Sequence, residues 1–513
     1  MISDRYIRGL TYNAIDSAAT FQIYQAFWQD MLAQGHEPAY QQTIDLLGPL
    51  TFIMTRGIKV DISRLSEVSE ATDKEIQAKQ EELNRVAGRA LNPLSPKQIF
   101  EYFYVEKRIP PYKDAEGKPT TNDKALTRLA RGTSTRQGFR EAKLIQELRG
   151  LHKLKGTYFD IAFDADGRFR TAANPRGTKF GRISTGKTIY DTGMNMQNLP
   201  PAFKTFLVAD PGYLLIEMDK RQAEWVVVAY LAGDARMIEV LENNEDPHTH
   251  TAHLMFGADK ELIKRENKIV GHTTDAVEIE SLRRANCPEV FNLGFVPRIF
   301  SMRQGGKKSN HALNYDETYK MFAFINEMSE HESKVICDRY HAIYPGIKQW
   351  HGHIQTELRH NRTLTNCFGR RCMFLEKWGP DLFKQAYAFK PQSTVADLVN
   401  RALIRIYDDR DPRMYHAELL GQVHDSVLWQ IPLSLSTDDI MFCVQRIEDY
   451  LNPTMEYAGR EFHIHTDIKL GVTSWNDIEE ADLADKNKLR SIIDGHQTTW
   501  RLANGIPGIH QGY

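Results

Sequence analysis

The chain has 513 residues, of which 41% are hydrophobic and 26% are charged, and its formal net charge is −2. This length predicts several domains or subdomains with separate cores, and the composition is typical of a globular protein. The longest apolar run, 225–232, is too short to cross a membrane. The five cysteines are scattered and complete no zinc pattern. We therefore expect free thiols and a cytoplasmic protein.

The first 165 residues predict helices. Residues 1–40 look helical, and Tyr12 and Asp16 share one helix face because they lie four residues apart. Residues 41–165 are charged and periodic, as expected of long helices. Within them, Ser95 is a predicted N-cap, with Pro96 at the first helical position.

A basic stretch follows at residues 168–187, which contain six basic side chains and no acidic one. Such a stretch attracts a phosphate backbone, although a solvated loop has the same composition.

Two apolar runs each end at an aspartate. The first run reaches Asp219 and continues through Gln222 to Glu224, which predicts a strand, a turn and a helix. The second reaches Asp425 through Val423 and His424. A single such aspartate usually marks only a strand end. Two of them from distant segments are what a phosphoryl-transfer site with two Mg²⁺ ions about 3.5–4 Å apart requires.

These segments resemble, in order, the motifs of family A DNA polymerases, the relatives of bacterial DNA polymerase I and of many phage polymerases. Residues 219–224 are similar to the family's Asp-Tyr-Ser-Gln-Ile-Glu, and residues 423–425 to its Val-His-Asp-Glu. Ser426 stands where the family has the final Glu, which removes one candidate metal ligand. The resemblance covers about residues 10–475.

The resemblance implies an α+β, right-hand polymerase fold with an antiparallel palm sheet, helical fingers and a helical thumb. The expected divisions are an exonuclease-like remnant (1–40), thumb (41–165), palm (166–234 and 385–475), fingers (235–384) and an unassigned C-terminal extension (476–513).

It also implies roles around the two aspartates. Asp219 and Asp425 would bind two Mg²⁺ ions, for which Mn²⁺ can substitute. Glu224 would be the steric gate against ribose, with Gln222 beside it in the nucleotide site. His248, in an Asp-Pro-His-Thr segment, would contact the triphosphate.

The expected fingers helix departs from the family pattern of Arg, Lys, aromatic and Tyr at intervals of four. Arg283, Cys287, Phe291 and Phe295 have this spacing and would bind the nucleotide, but the Lys is absent. We expect Arg284 to supply its charge in catalysis, with Lys264 and Lys268 as the next candidates. The alternative is that 283–287 is not helical and this register is wrong.

A further set of residues matches the family's DNA-contacting positions: Arg176, Arg182, Ser184, Asn195, Gln197, Asn198, Arg370, Arg371, Lys384, Gln392 and His424.

The resemblance thus predicts a DNA polymerase that extends a primer on template DNA with dNTPs. Tyr12 and Asp16 resemble the third motif of the 3′–5′ exonuclease domain, whose other carboxylates are missing upstream. We therefore expect no proofreading by this chain, a phage source acting in the host cytoplasm, and a separate exonuclease chain or processivity factor as partner. The alternatives are an inactive DNA-binding accessory subunit, favoured by the missing Lys, and a related RNA polymerase, disfavoured by Glu224.

Overall fold

The computed structural model describes residues 4–114, 116–132 and 136–505. The N-terminal part contains α1 (Asp4–Ala33), α2 (Glu37–Asp45), α3 (Leu47–Arg56), β1 (Ile58–Val60), α4 (Ile62–Ala87), α5 (Pro96–Phe100), α6 (Asp123–Arg131) and α7 (Arg140–Lys153), with π-helical turns at Glu101–Glu106 and Leu154–Phe159. The next part contains β2 (Arg168–Phe169), β3 (Ala172–Asn174), β4 (Ser184–Gly186), α8 (Pro201–Lys204), β5 (Leu207–Val208), β6 (Tyr213–Lys220) and α9 (Ala223–Ala232).

A long helical stretch follows, with α10 (Ala235–Glu242), α11 (Pro247–Phe256), α12 (Lys260–Val270), α13 (Ala276–Asn286), α14 (Met302–Leu313), α15 (Tyr319–Asn326), α16 (Glu330–Ile343) and α17 (Pro345–Asn361). The C-terminal part contains β7 (Thr363–Thr365), β8 (Arg371–Met373), α18 (Pro380–Asp408), β9 (Glu418–Val423), β10 (Ser426–Pro432), α19 (Thr437–Leu451), β11 (Met455–Tyr457), β12 (Arg460–Phe462), β13 (Thr466–Gly471), β14 (Glu479–Ala481) and α20 (Lys486–Ala503). None of the helices in the described ranges is both long and apolar enough to cross a membrane.

The central sheet is antiparallel and has the strand order β14-β13-β6-β10-β9. Strand β6 lies in the middle, and both of its faces are covered: Leu214, Ile216 and Met218 belong to one hydrophobic core, and Leu215 to another. This double burial explains why the first half of β6, 213–216, is an uninterrupted apolar run.

Helices α4 to α7 enclose a third core, separate from the sheet, around residues such as Leu83, Phe103, Leu126 and Ile145. Ser95 caps α5, as predicted: its Oγ accepts a hydrogen bond from the backbone N–H of Gln98 at 3.3 Å. The predicted helices in 1–40 and the strand, turn and helix at 205–234 are also confirmed.

The C-terminal extension folds onto the sheet region. Helix α20 buries Leu489 and Ile493, and the Gln497 side chain donates hydrogen bonds to the carbonyls of Leu433 at 3.0 Å and Leu435 at 2.7 Å. The extension therefore packs on the folded core through residues 489–497 of α20, and residues 506–513 lie outside the described ranges.

Candidate active site

Asp219 and Asp425 meet at one end of the central sheet. Asp219 is the penultimate residue of β6, and Ser426 pairs with it directly across the ladder. Asp425 lies in the two-residue turn between β9 and β10, and its carbonyl accepts a hydrogen bond from the Lys220 N–H at 3.3 Å. The tight turn and the strand register thus bring together two carboxylates that are 206 residues apart in the sequence.

Burial and mutual repulsion disfavour the charged forms of the two carboxyl groups. Burial raises the pKa of Asp219 to about 7, and the negative charges of Asp425 and Glu217 add to the rise. Burial also raises the pKa of Asp425. Part of the Asp219 side chain reaches solvent, but the surrounding protein removes most of the water that would stabilise its charge.

These carboxylates fit a hard divalent cation. Two converging oxygen donors with raised pKa values gain stability from a nearby positive charge. No group of three or more His, Cys, Asp and Glu side chains arranged to hold a metal occurs in the described residues. A cation held by these two carboxylates would complete its coordination with water and substrate phosphates.

Sequence reasoning missed Glu217, which lies two residues before Asp219 on the same face of β6. Its carboxylate accepts a hydrogen bond from the Trp475 indole at 3.0 Å, and the Ser426 Oγ lies 3.3 Å away. A third carboxylate is thus present beside the two aspartates, and the period-two spacing in β6 is the signal that could have revealed it.

Lys220 anchors this end of the sheet. Its ammonium donates hydrogen bonds to the Leu451 carbonyl at 2.8 Å, Asn452 Oδ1 at 2.6 Å and Thr466 Oγ1 at 2.9 Å. Burial lowers the pKa of Lys220 to about 7. These contacts tie the end of β6 to α19 and β13, and they hold Asp219 in place.

Glu224, in the first turn of α9, connects two other parts of the site. Its carboxylate forms an ion pair with Arg182 and accepts a 2.5 Å hydrogen bond from the Tyr315 hydroxyl. Burial and the charge of Glu224 raise the pKa of the Tyr315 phenol well above its ordinary value, so the phenol stays a donor. Sequence reasoning did not single out Tyr315.

His248 is buried in α11 as a neutral imidazole. Burial lowers its pKa to about 3. The Asn310 amide donates to its Nδ1 at 3.0 Å, so the ring proton lies on Nε2. The His311 ring lies 5.9 Å from the His248 ring, between centroids.

Asp246, just before α11, accepts hydrogen bonds from several neighbouring side chains. Arg303 binds it in a bidentate ion pair at 2.8 and 3.0 Å, and Gln222 and Thr249 also donate to it. Burial opposes its ionisation, but the hydrogen bonds from Arg303 and Thr249 outweigh that effect and hold the pKa of Asp246 at about 2. Gln222 therefore supports α11 from the start of α9.

The predicted fingers helix through Arg283, Cys287, Phe291 and Phe295 is wrong. Helix α13 ends at Asn286, Cys287 has non-helical backbone angles (φ of −150°, ψ of 61°), and 288–292 form a short 3₁₀ turn. Pro288 explains the break, since it has no N–H and restricts the residue before it.

The pattern of four recurs twenty residues later in α14, at Arg303, Lys307, His311 and, just past its end, Tyr315. Lys307 is exposed and forms no ion pair within the described ranges. A lysine at the expected spacing is therefore present in this helix, and the same spacing in the sequence could have found it.

Two glycines let α14 approach α11 closely. A Cβ on Gly306 would lie 2.2 Å from the His248 carbonyl oxygen, and one on Gly305 would lie 2.9 Å from the Phe256 ring. A side chain at Gly306 would collide with backbone, so the contact between the two helices requires glycine there.

The residues that we expected in the fingers helix make other contacts. Arg283 is buried and binds Glu266 and the carbonyls of Pro297 and Phe300. Arg284 is exposed, pairs with Glu280 at 2.6 Å and stacks on Phe291.

The other two residues of that register are also accounted for. Cys287 is fully buried, and Phe295 packs against Phe256. The Arg284 side chain is held by Glu280 and Phe291, so its contacts give no support to the expectation that it replaces the missing lysine.

The turn that carries His424 is clamped by Gln197. The Gln197 side chain donates to the Gln422 carbonyl at 2.9 Å and accepts from the His424 N–H at 2.7 Å. His424 has φ of 53°, and its side chain is exposed.

Several residues that were predicted to contact DNA instead bind other residues of the protein. Arg370 forms a bidentate ion pair with the buried Asp397, and Lys384 lies 3.6 Å from Glu317. Arg371 donates to the carbonyl of Gln34.

In the basic stretch, the ion pairs are Arg168–Asp210, Arg170–Asp166, Lys179–Glu376, Arg182–Glu224 and Lys187–Asp191. Arg176 is exposed and has no acidic partner in the described part of the chain. The stretch is therefore less positive than its sequence indicates.

The remaining residues predicted to contact DNA lie partly or fully at the protein surface. Asn195 accepts from Thr185 Oγ1 at 2.8 Å, Asn198 is exposed, and Ser184 and Gln392 are half-buried.

The profile of DNA polymerase family A matches residues 62–271 and 288–477, and the chain belongs to this family. The unmatched segment between these ranges contains Arg283, Arg284 and Cys287, which agrees with the corrected register.

Two curated relatives are bacterial. The chain is 28% identical over 411 residues to the thermostable DNA polymerase I of Thermus thermophilus, with 75% of this chain and 43% of that protein covered. It is 24% identical over 474 residues to DNA polymerase I of Pseudomonas aeruginosa, with 87% and 45% covered. The chain thus spans less than half the length of these relatives.

Among solved structures, the chain is similar to the POL domain of Pol1 from M. smegmatis, determined in complex with a DNA primer-template and dNTP. The TM-score is 0.67 at 21% identity, with 84% of this chain and 70% of that chain covered. This likeness confirms the predicted right-hand polymerase fold.

Proposed function

We propose that this chain is a template-directed DNA polymerase that extends a primer with dNTPs. The observation that carries the proposal is the convergence of Asp219 and Asp425 at one sheet end, beside Glu224, which the Tyr315 hydroxyl holds. The protein named in the similar solved structure was bound to primer-template and dNTP, which supports the substrate class.

The right-hand fold suggests how the parts divide. We assign the central sheet to the palm, α4–α7 with their own core to the thumb, and the helices α10–α17 to the fingers. These assignments follow the expected divisions, except that the C-terminal extension joins the palm through α20.

Asp219 and Asp425 would hold divalent cations, Mg²⁺ by preference, with Glu217 close by. Bound there, such cations would neutralise charge on the phosphates and favour ionisation of the primer 3′-hydroxyl. That oxygen would attack the α-phosphorus, with a new P–O bond formed, the bond to pyrophosphate broken and the hydroxyl proton passed to water.

The chain's own residues would position the nucleotide. Lys307, one helical turn from both Arg303 and His311, would offer an ammonium to the triphosphate as negative charge grows on the leaving pyrophosphate. His248, neutral and protonated on Nε2, would donate a hydrogen bond there. Glu224, held by Tyr315 and Arg182, would lie against the sugar.

An inactive DNA-binding accessory subunit is the second candidate. Its main support was the missing fingers lysine, and Lys307 removes that support.

Primer extension separates the candidates. The wild-type chain should extend a labelled primer with dNTPs and poorly with rNTPs, and Asp219→Ala or Asp425→Ala should abolish extension while duplex binding persists. Asp338→Ala, on an exposed helix face, is the matched control and should behave as wild type. Binding without extension by the wild type would instead identify an accessory subunit.

A further inference from the structure

A groove of about 1030 Å³ lies between the N-terminal helices and the basic stretch. One wall is the C-terminal half of α1 with the start of α2, and the other consists of 175–179 and the turn at 370–371. No role follows for this groove from the two aspartates or from the nucleotide site.

The first wall carries a row of aromatic rings. Tyr24 and Trp28 lie 5.2 Å apart between ring centroids, and Trp28 and Tyr40 lie 5.9 Å apart. Phe27, which directly precedes Trp28 in α1, is 64% exposed, and Tyr24 is 43% exposed. Such exposed rings are costly in water unless a ligand covers them.

The opposite wall is basic. Arg176 is exposed without an acidic partner in the described ranges, and Arg371 binds only the Gln34 carbonyl there. Lys179 and Arg370 also line this wall, although each pairs with a carboxylate. Asp30 is the single acidic side chain among the described residues of the lining, so positive charge dominates.

The groove adjoins the candidate active site. The segment that forms its basic wall continues to Arg182, which pairs with Glu224. Gly181 lies against Arg370, because a Cβ built on it would be 2.7 Å from the guanidinium. A strand that leaves the candidate active site along this segment would therefore enter the groove.

We propose that this groove binds single-stranded DNA, specifically the unpaired extension of a primed template. The inference rests on the proposed function for the identity of the nucleic acid. Bases stack on aromatic rings regardless of sequence, and cations along the facing wall attract the phosphates. A partner protein that covered only the aromatic rings would not need the basic side chains on the facing wall.

Overhang-dependent affinity tests the proposal. Fluorescence anisotropy would compare the full chain's affinity for a blunt duplex with its affinity for the same duplex carrying a ten-nucleotide 5′ overhang. The wild-type ratio should be large, and in a Tyr24→Ala/Phe27→Ala variant it should fall by at least about ten-fold, since each stacked base contributes roughly 5- to 150-fold.

A matched control uses two equally exposed residues of the same helix outside the groove. The Leu10→Ala/Ile15→Ala variant should keep the wild-type ratio. Photo-crosslinking of 5-iodouracil in the overhang should label peptides that contain residues 24–40 in the wild type.

Three results would overturn the proposal: a wild-type affinity independent of the overhang, an equal loss in both double variants, or crosslinks confined to other segments. A change from dimer to monomer in Tyr24→Ala/Phe27→Ala, with the ratio unaltered, would assign the groove to a second copy of the chain. Extension activity is measured separately, so overhang binding without extension would leave the groove standing and reject only the polymerase proposal.

Discussion

The Tyr315 hydroxyl donates a 2.5 Å hydrogen bond to the Glu224 carboxylate. Tyr315 follows the C-terminal end of α14, and Glu224 lies in the first turn of α9. This bond therefore joins the helix that would contact the triphosphate to the residue that would contact the sugar.

The bond makes Tyr315 a positioning residue for the proposed sugar gate. Tyr315→Phe should lower the discrimination of the ratio kcat/KM for dNTP over rNTP by about ten-fold or more, since a hydrogen bond to a charged group contributes about 1.5–3 kcal/mol. Glu224→Ala should lower it further. In the double variant, the Tyr315→Phe change should have no additional effect, and full additivity would mean that the two residues act separately.

The register through α14 predicts which basic side chain contributes to turnover. Lys307→Ala should lower kcat by about 10²–10³, the usual cost of losing a donor to developing charge. Arg284→Ala should retain near-normal turnover, because Arg284 pairs with Glu280 away from the aspartates. Single-turnover kinetics with both variants would check this, and the reverse order of effects would restore the first register.

Gly306 should resist substitution although it lies inside a helix. Gly306→Ala should lower the free energy of unfolding by about 1–3 kcal/mol through overpacking against the His248 carbonyl. Gly352→Ala, at an exposed helical glycine with nothing within 4 Å, should raise it by about 0.5–1 kcal/mol. Urea unfolding of both variants provides the comparison, and a stabilised Gly306→Ala would contradict the close contact of α11 and α14.

Buried histidines should make the protein sensitive to acid. Burial lowers the pKa of His248 to about 3 and the pKa values of His341 and His351 to about 4. In the unfolded chain each titrates near its ordinary 6.5, so the unfolded state binds more protons below that pH. Stability should then fall as the pH drops from about 6.5 to 4, by up to about 1.4 kcal/mol per pH unit for each group.

The raised pKa of Asp219 acts in the opposite direction, so the histidine contribution is best isolated by difference. Urea unfolding between pH 7.5 and 4.5 should give a flatter pH dependence for His351→Gln than for wild type. Parallel curves would mean that the pKa of His351 is the same in the folded and unfolded states.

The sequence by itself determined the strands that end at Asp219 and Asp425, because apolar runs that stop at a carboxylate have few other solutions in a folded chain. It also indicated the cap at Ser95 and the helical character of 1–165, since these depend on local hydrogen bonds and periodicity.

Only the tertiary structure decided between the two segments with a spacing of four. Both 283–295 and 303–315 carry it, but Pro288 breaks the first, and Gly305 and Gly306 allow the second to pack on α11. The partners of Glu217 and Glu224, and the ion pairs that neutralise much of the basic stretch, were likewise invisible in the sequence. Each joins residues tens to hundreds of positions apart, and such contacts depend on packing in three dimensions, which local sequence patterns do not encode.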